Sequence, residues 1–193
     1  SGFAQELKRY TDNGGNILLI PAKDIEFENY KAFLNSLNAD HYIEKDTVNT
    51  KVTYVDIKHP VYREVFEDIA VEKGRLPDNT DLPKVFNHYK ISRVTTSKQE
   101  VLMGLENGSP FLSRIPAGKG GVYLLAVSLD EEFSNFASHA IFVPTLYNIA
   151  LLSNPVGKLY YTVGEFDHID IKHRQITGDN VFRIRKLNSN FEI

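Results

Sequence analysis

Cysteine is absent from the 193 residues of this chain. Its absence excludes disulfide bonds, thiolate metal sites and any catalysis that begins with a cysteine nucleophile. An excess of basic residues is missing too, because 22 lysines and arginines stand against 25 aspartates and glutamates, for a formal net charge of −3. Domains that bind nucleic acid normally present a basic face, so the charge argues against a nucleic-acid partner.

Long apolar runs are lacking as well. A membrane-spanning helix needs about 18–20 apolar residues, and the longest candidate, residues 137–152, is interrupted by His139, Pro144 and Asn148. The chain shows no signal peptide, and it opens with Ser1-Gly2 instead of an initiator methionine. We therefore expect it to be a processed chain or a part of a longer one.

The spacing of apolar residues in the first half alternates between helix and strand. Phe3, Leu7 and Tyr10 have helical spacing, residues 16–20 form an almost continuous apolar run, and residues 27–37 return to helical spacing. An unbroken apolar run is typical of a strand that is covered on both faces, as in parallel sheets. The sequence therefore predicts an α/β fold with a Rossmann-like wound sheet and helices on both faces.

Turn signals then predict two hairpins. Asn107-Gly108 separates two apolar segments, and residues 118–121 lead into a second buried strand over residues 122–127. Residues 137–152 are predicted to form a helix that Pro144 bends. Its predicted buried stripe consists of Phe136, Ala140, Val143 and Tyr147.

The pattern changes after Pro155, where short strand candidates follow one another without helices. They cover residues 159–163, 166–171 and 181–184. We therefore predict an α/β domain over residues 1–154, and a short antiparallel β segment, or the start of a second domain, over residues 155–193.

Most catalytic motifs fail when they are tested against the sequence. Residues 118–121 are rich in glycine but precede a strand, whereas phosphate loops follow a strand and open a helix. Neither Gly-x-Ser-x-Gly nor His-Glu-x-x-His occurs. The densest acidic and histidine cluster, residues 167–173, alternates like a half-buried edge strand. No metal and no cofactor is predicted.

A candidate interaction or ligand site remains around the predicted second buried strand. Ser128 follows that strand, Ser134 or Asn135 is placed to cap the next helix, and helical packing leaves His139 unexplained. Ligands of open α/β sheets bind at the carboxyl ends of the strands. One hypothesis is therefore a hydrolase, or a small-ligand-binding enzyme, that uses either a carboxylate or Ser128 and His139 at that edge of the sheet.

Several segments resemble a known family. The helix–GlyGly–strand element that runs from Leu7 through Gly14-Gly15 to Pro21 is similar to that of class I glutamine amidotransferase-like domains. Other segments resemble, more specifically, the BatA-like (Bat-type, aerotolerance-associated) membrane proteins of Bacteroidetes. These segments are His59-Pro60, Leu82-Pro83-Lys84-Val85, Phe111-Leu112, Gly118-Lys119-Gly120, and residues 134–136 and 139–147.

The resemblance implies a function without catalysis. Amidotransferases attack glutamine with a Cys–His–Glu triad, and this chain has no cysteine, so it would be a degenerate domain that lacks its first strands. It would act as a protein-binding or scaffolding module among other proteins of an envelope complex. It would be the soluble domain of an inner-membrane-anchored protein, on the periplasmic side, with the membrane helices outside this chain.

A third hypothesis concerns the C-terminal strands. Tyr160, Tyr161 and Phe166 could bind a carbohydrate or a peptide there if their rings are exposed. Packing in a core explains the same three aromatic residues equally well.

Overall fold

The computed structural model describes residues 2–63, 65, 66, 76, 80–93 and 98–153. The helices in this part are α1 (Gly2–Asp12), α2 (Phe27–Ser36) and α3 (Phe142–Ser153). The strands are β1 (Asn16–Leu19), β2 (Tyr42–Asp46), β3 (Thr50–Val55), β4 (Lys84–Val85), β5 (His88–Ile91), β6 (Glu100–Leu105), β7 (Pro110–Ala117) and β8 (Gly120–Leu125). The predicted C-terminal strands lie outside the described residues, so the boundary at residue 154 stays a prediction.

Six of the described strands form one sheet in the order β1-β8-β7-β6-β3-β4, and β2 pairs with β5 in a separate two-stranded sheet. In the larger sheet β1 runs parallel to β8, and every other neighbouring pair is antiparallel. The predicted α/β class is therefore confirmed as a mixed fold with a mostly antiparallel sheet.

The predicted Rossmann-like winding is not confirmed, and short connections explain why. The β6–β7 connection consists of residues 106–109, and the β7–β8 connection of Gly118 and Lys119. A parallel neighbour would need a crossover of a dozen or more residues. Strands joined by turns of this length can pair only antiparallel, so the predicted hairpins are confirmed and a wound parallel sheet does not form from them.

The β7–β8 hairpin lies within the sheet, between β1 and β6. Every residue of β8 is buried, which confirms the predicted second buried strand. Gly118 adopts a φ of 60° in the turn, a conformation that favours glycine. A side chain at Gly120 would collide with the carbonyl oxygen of Gly15, which directly precedes β1. Glycine at position 120 therefore lets β1 lie directly against β8.

Strand β1 lies at the edge of the described sheet, with β8 as its neighbour. The Gly121 amide donates to the Gly15 carbonyl across 3.4 Å, and Asn16, Leu18 and Leu19 pair with Gly121, Tyr123 and Leu124. Backbone groups alternate in direction along a strand, so in this register the amides of Ile17 and Leu19 face β8 and the Leu18 amide faces away. All four β1 residues are only half-buried, although their sequence is typical of a strand covered on both faces.

The third helix differs from its prediction. Residues 136–138 form a single 3-10 turn, and α3 begins at Phe142, so Pro144 lies in its first turn and does not bend it. Because α3 starts late, the predicted buried stripe is wrong for most of its members. Val143 is 68% exposed and Tyr147 62%, while Thr145 and Ile149 are the buried residues of the helix.

Two hydrogen bonds attach α3 to the chain that follows β3. The buried hydroxyl of Thr145 donates to the Ile141 carbonyl across 2.7 Å and lies 3.2 Å from the hydroxyl of Tyr62. The Asn148 side-chain amide donates to the Val61 carbonyl across 2.7 Å. Burial raises the pKa of the Tyr62 phenol, with the Thr145 hydrogen bond acting in the opposite direction.

Aromatic rings connect the small sheet to the large one. Tyr42 of β2 donates from its hydroxyl to the Leu125 carbonyl across 2.8 Å, and Tyr89 of β5 donates to the Lys23 carbonyl across 2.6 Å. The rings of Tyr42 and Tyr89 lie 5.7 Å apart, and Phe133 lies 5.4 Å beyond Tyr89. These contacts fix the β2–β5 pair against the end of β8.

His88 is a polar side chain buried in this mostly aromatic core. It is fully buried at the start of β5, and neither ring nitrogen has a hydrogen-bond partner among the described residues. Burial lowers the pKa of His88 below the ordinary 6.5, while the Asp46 carboxylate raises it and the Lys90 ammonium lowers it. The ring is therefore neutral in the folded protein at neutral pH.

Replacing Thr145 with valine should destabilise the protein by about 1–3 kcal/mol, because the variant leaves the buried Tyr62 hydroxyl without its partner. Urea denaturation of the purified chain measures the change. The double variant Tyr62→Phe/Thr145→Val removes both hydroxyls and should be less destabilised than the sum of the two single variants. Simple additivity would show that the two side chains do not interact.

The stability of the protein should fall relative to a His88→Leu variant as the pH drops below about 6.5. A histidine whose pKa is lower in the folded than in the unfolded protein takes up its proton first in the unfolded state as the pH falls. The neutral histidine therefore contributes its full stability above the unfolded pKa, and this contribution is lost as the pH falls through the folded pKa. The free energies of unfolding of the two proteins, measured from about pH 7.5 to about pH 5.5, should diverge by at most about 1.4 kcal/mol per pH unit. Parallel curves would contradict the assignment.

Candidate functional site

A cleft of about 600 Å³ opens beside β1, β8, β7 and β6, a volume within the range of small-molecule sites. We call it the Arg114 cleft. Its lining residues come from these four strands, from the segment after β3 and from the end of α3: Asn16, Asp56, Lys58, His59, Pro60, Glu100, Arg114, Tyr123 and Leu152.

Strand register places the polar residues of the cleft side by side. Glu100 on β6 pairs with Arg114 on β7, and Arg114 pairs in turn with Tyr123 on β8. Directly paired residues point to the same face of a sheet, so these three side chains form a row across three strands. Asn16 on β1 pairs with Gly121, two residues from Tyr123, and therefore shares that face.

Arg114 is held at the centre of this row. Its Nη1 lies 3.0 Å from Oε2 of Glu100, and its guanidinium carbon lies 5.9 Å from the centre of the Tyr123 ring. The guanidinium also lies over Gly121, since a Cβ there would be 3.1 Å from Nε of Arg114. Burial raises the pKa of the Tyr123 phenol, and the Arg114 charge lowers it by a smaller amount. Tyr123 is therefore a neutral wall of the cleft.

The segment after β3 supplies the opposite wall. The Asp56 amide donates to the Leu102 carbonyl across 2.9 Å, which extends the β3–β6 pairing, and the Asp56 carboxylate accepts the Lys58 amide across 3.2 Å. Nδ1 of His59 accepts the Val61 amide across 3.2 Å, so the neutral ring carries its proton on Nε2. Burial lowers the pKa of His59, against the opposing charges of Glu100 and Asp56.

Asn16 provides the unusual polar group of this cleft. Its side-chain Oδ1 is buried, and no donor within the described residues bonds to it. A buried acceptor without a partner is costly, and native structures contain few of them. The cleft therefore combines the cations Arg114 and Lys58 with the carboxylates of Asp56 and Glu100 and with one buried neutral acceptor.

The residues predicted from the sequence lie elsewhere, in the segment between β8 and α3. The Ser128 hydroxyl accepts the Asp130 amide across 3.3 Å, and the Ser134 hydroxyl accepts the Phe136 amide across 3.3 Å. Asn135 pairs with Lys84 of β4 in both directions: its Oδ1 accepts the Lys84 amide across 2.8 Å, and its amide donates to the Lys84 carbonyl across 3.2 Å. Ser128 and Ser134 thus hold the backbone of their own loop, and Asn135 joins this loop to β4.

His139 has the same local geometry as His59. Its Nδ1 accepts the amide of Ile141, two residues on, across 3.3 Å, and its Nε2 lies 3.5 Å from the Asp81 carboxylate. Among the described residues, Ser128 and His139 share no hydrogen bond, so no nucleophile–base pair is formed between them. Whether these four residues form an interaction or ligand site stays a prediction.

Sequence reasoning missed the Arg114 cleft because its residues are scattered along the chain. His59-Pro60 was noted only as part of a resemblance, and Glu100 and Arg114 are 14 positions apart. One usable signal is that Arg114 is the charged residue of segment 111–115, whose other members are apolar except for Ser113. Its pairing with Glu100 emerges only when the register of the β6–β7 hairpin is known.

The described residues were also compared with the requirements of a metal site and of a membrane-spanning helix. Within them, no group of three histidine, aspartate or glutamate side chains is placed to hold one metal ion. None of the described helices combines the length and the apolar character that crossing a bilayer requires.

Comparison with known proteins finds similarity at the level of the fold. No family model matches the chain, and no curated protein matches it. The chain is similar to the solved structure of cytoplasmic protein STM3548 from Salmonella typhimurium, with a TM-score of 0.53, 16% identity, and coverage of 75% of this chain and 57% of that one. It is also similar to cytoplasmic protein STM1381 from Salmonella typhimurium LT2, with a TM-score of 0.55, 16% identity, and coverage of 76% and 58%.

These similarities correct one prediction and leave another as it was. Both solved structures are of cytoplasmic proteins, which contradicts the predicted periplasmic, membrane-anchored location. The resemblance to BatA-like proteins and to amidotransferase-like domains stays a prediction. The chain spans less than three fifths of the length of either solved relative, and it shares a mixed α/β fold with both.

Proposed function

We propose that this chain is a non-catalytic protein-binding module, as its resemblance to a degenerate amidotransferase-like domain implies, and that its partner adds an extended segment to the open edge of β1. The observation that carries the proposal is the mismatch between the sequence of β1 and its place in the sheet. Ile17, Leu18 and Leu19 have the unbroken apolar character of a central strand, yet β1 is an edge strand of the described sheet.

Edge strands of this kind attract another strand. An unpaired edge presents a row of backbone amides and carbonyls, and soluble proteins usually blunt it with charge, proline or a bulge. Asn16, Ile17, Leu18 and Leu19 include no charged residue and no proline. Their pairing with β8 is regular over all four residues, without a bulge. An incoming strand would bond to the backbone groups of Leu18 and would cover the half-buried apolar side chains.

Two observations favour a role in binding over catalysis by the predicted residues. The chain has no cysteine, so the thiolate of amidotransferase chemistry has no counterpart. The hydroxyls of Ser128 and Ser134 accept amides of their own loops. The alternative of a hydrolase that uses Ser128 and His139 therefore gains no support from the described geometry.

Replacing Leu18 with proline should abolish partner binding, because proline removes the outward-facing amide. The amides of Ile17 and Leu19, which face β8, stay in place, and edge positions of this kind tolerate proline. Leu18→Val is the matched control, since it keeps the amide and the β propensity of the strand. Partner binding is measured by photo-crosslinking in the source cells, with a photoreactive residue at the exposed Ala22, just beyond β1.

The wild type and the Leu18→Val variant should give the same discrete adduct, and Leu18→Pro should reduce it by at least about tenfold. A probe at Tyr54, which is exposed on β3, should give no such adduct. Circular dichroism of each purified variant checks that the fold is retained. An adduct that survives in a folded Leu18→Pro variant, or no adduct from Ala22 at all, would rule out strand addition at β1.

A further inference from the structure

Helix α1 carries two exposed aromatic side chains beside the sheet. Phe3 is 71% exposed and Tyr10 is 50% exposed. They are seven positions apart, which is close to two full turns of a helix, so both lie on one flank of α1. We call this pair the α1 flank. A surface helix normally buries its apolar stripe, so the α1 flank is only partly covered by the described residues.

The α1 flank is turned towards the start of β1. The Tyr10 ring lies against Gly15, directly before β1, since a side chain at Gly15 would collide with that ring. Two positions on a helix correspond to a rotation of about 200°, so Asp12 lies on the opposite flank from Tyr10. Asp12 lies against Gly118 in the β7–β8 turn, where a side chain would collide with it. One flank of α1 therefore faces the β7–β8 turn, and the other faces the open edge of β1.

The α1 flank shares a face of the sheet with two side chains of β1. Helix α1 contacts β1, β7 and β8, and none of its residues lines the Arg114 cleft, so it covers the face opposite the cleft. Asn16 lines the cleft, and side chains alternate along a strand, so Ile17 and Leu19 face α1. Both are half-buried. A strand added outside β1 would place every second side chain next to them and beneath the α1 flank.

The span of the α1 flank matches two side chains of an added strand. Residues 13–15 connect α1 to β1, and so short a connection makes the helix run back along the strand. Phe3 and Tyr10 are roughly 10 Å apart along the helix axis, and successive side chains on one face of a strand are about 6.8 Å apart. These two side chains of the partner would be apolar, because a polar group covered by the α1 flank and β1 would lose its bonds to water.

We propose that the partner segment is a β-strand of another protein with large apolar side chains at two alternating positions, and that the α1 flank covers and selects these side chains. The inference rests on the proposed strand addition at β1 and names the chemistry of the partner. Backbone bonds to an edge strand are open to any sequence, and pockets for alternate side chains provide the specificity. The α1 flank provides such a pocket.

Two labelled synthetic peptides test the proposal with the purified chain: Lys-Thr-Ile-Thr-Ile-Thr-Lys and Lys-Thr-Ala-Thr-Ala-Thr-Lys. Fluorescence anisotropy measures their dissociation constants. The isoleucine peptide should bind at least about tenfold more tightly, because it buries more apolar surface beneath the α1 flank. Equal affinities would overturn the proposal, and so would the absence of isoleucine-peptide binding at about 1 mM.

Variants of the α1 flank assign the preference to its residues. Phe3→Ser should reduce the preference for the isoleucine peptide to about twofold or less, whereas a merely structural role of Phe3 would weaken both peptides equally. Tyr147→Ser is the matched control, since Tyr147 is 62% exposed on helix α3, and it should keep the full preference. Tyr10→Ser repeats the test on the same flank if Phe3→Ser fails to fold, as circular dichroism will show. A full preference in either folded variant of the flank would overturn the proposal.

The variant Leu18→Pro separates a failure of this inference from a failure of strand addition. Strand addition predicts that Leu18→Pro no longer binds the isoleucine peptide, because the outward-facing amide is lost. If this loss occurs while Phe3→Ser keeps the full preference, the α1 flank does not select the partner, and strand addition at β1 still holds. Binding that survives in a folded Leu18→Pro variant would contradict both proposals.

Discussion

The close approach of β1 to β8 is the constraint on which the rest of the structure depends. Gly120 permits this approach, because any side chain there would collide with the Gly15 carbonyl. With β1 in place, the β7–β8 hairpin is covered on one side by a parallel strand and on the other by β6. Glycine at position 120 therefore lets β8 lie between two neighbouring strands.

The same register builds the Arg114 cleft. Asn16 reaches the cleft because it pairs with Gly121, and Arg114 reaches it because it pairs with both Glu100 and Tyr123. Gly121 leaves space for the guanidinium as Gly120 leaves space for the backbone of β1. The two adjacent glycines thus allow two close contacts on β8, one with the backbone before β1 and one with the Arg114 guanidinium.

Local signals predicted the local structure well. The helix ending before Gly14, the β6–β7 and β7–β8 hairpins and the buried β8 all follow from turn residues and apolar runs within a few positions. The wound topology was not recoverable in this way, because an apolar run such as β1 has the same pattern whether its neighbours are parallel or antiparallel. The predicted buried stripe on α3 is wrong because it places the start of the helix near Phe136. The helix starts at Phe142, and this start leaves Val143 and Tyr147 exposed. The cleft depended on strand register, which a single sequence does not fix.

The central claim is that the outer edge of β1, which no strand among the described residues pairs, is open to a partner strand, and amide hydrogen exchange in the purified chain tests it most directly. In the described register the amides of Ile17 and Leu19 face β8, and the Leu18 amide faces away from it. The account predicts that the Leu18 amide exchanges at least about a hundredfold faster than that of Leu19, while the amides of β8 stay protected. Equal protection of Leu18 and Leu19 would show that the outer edge of β1 is already paired, and would contradict the account.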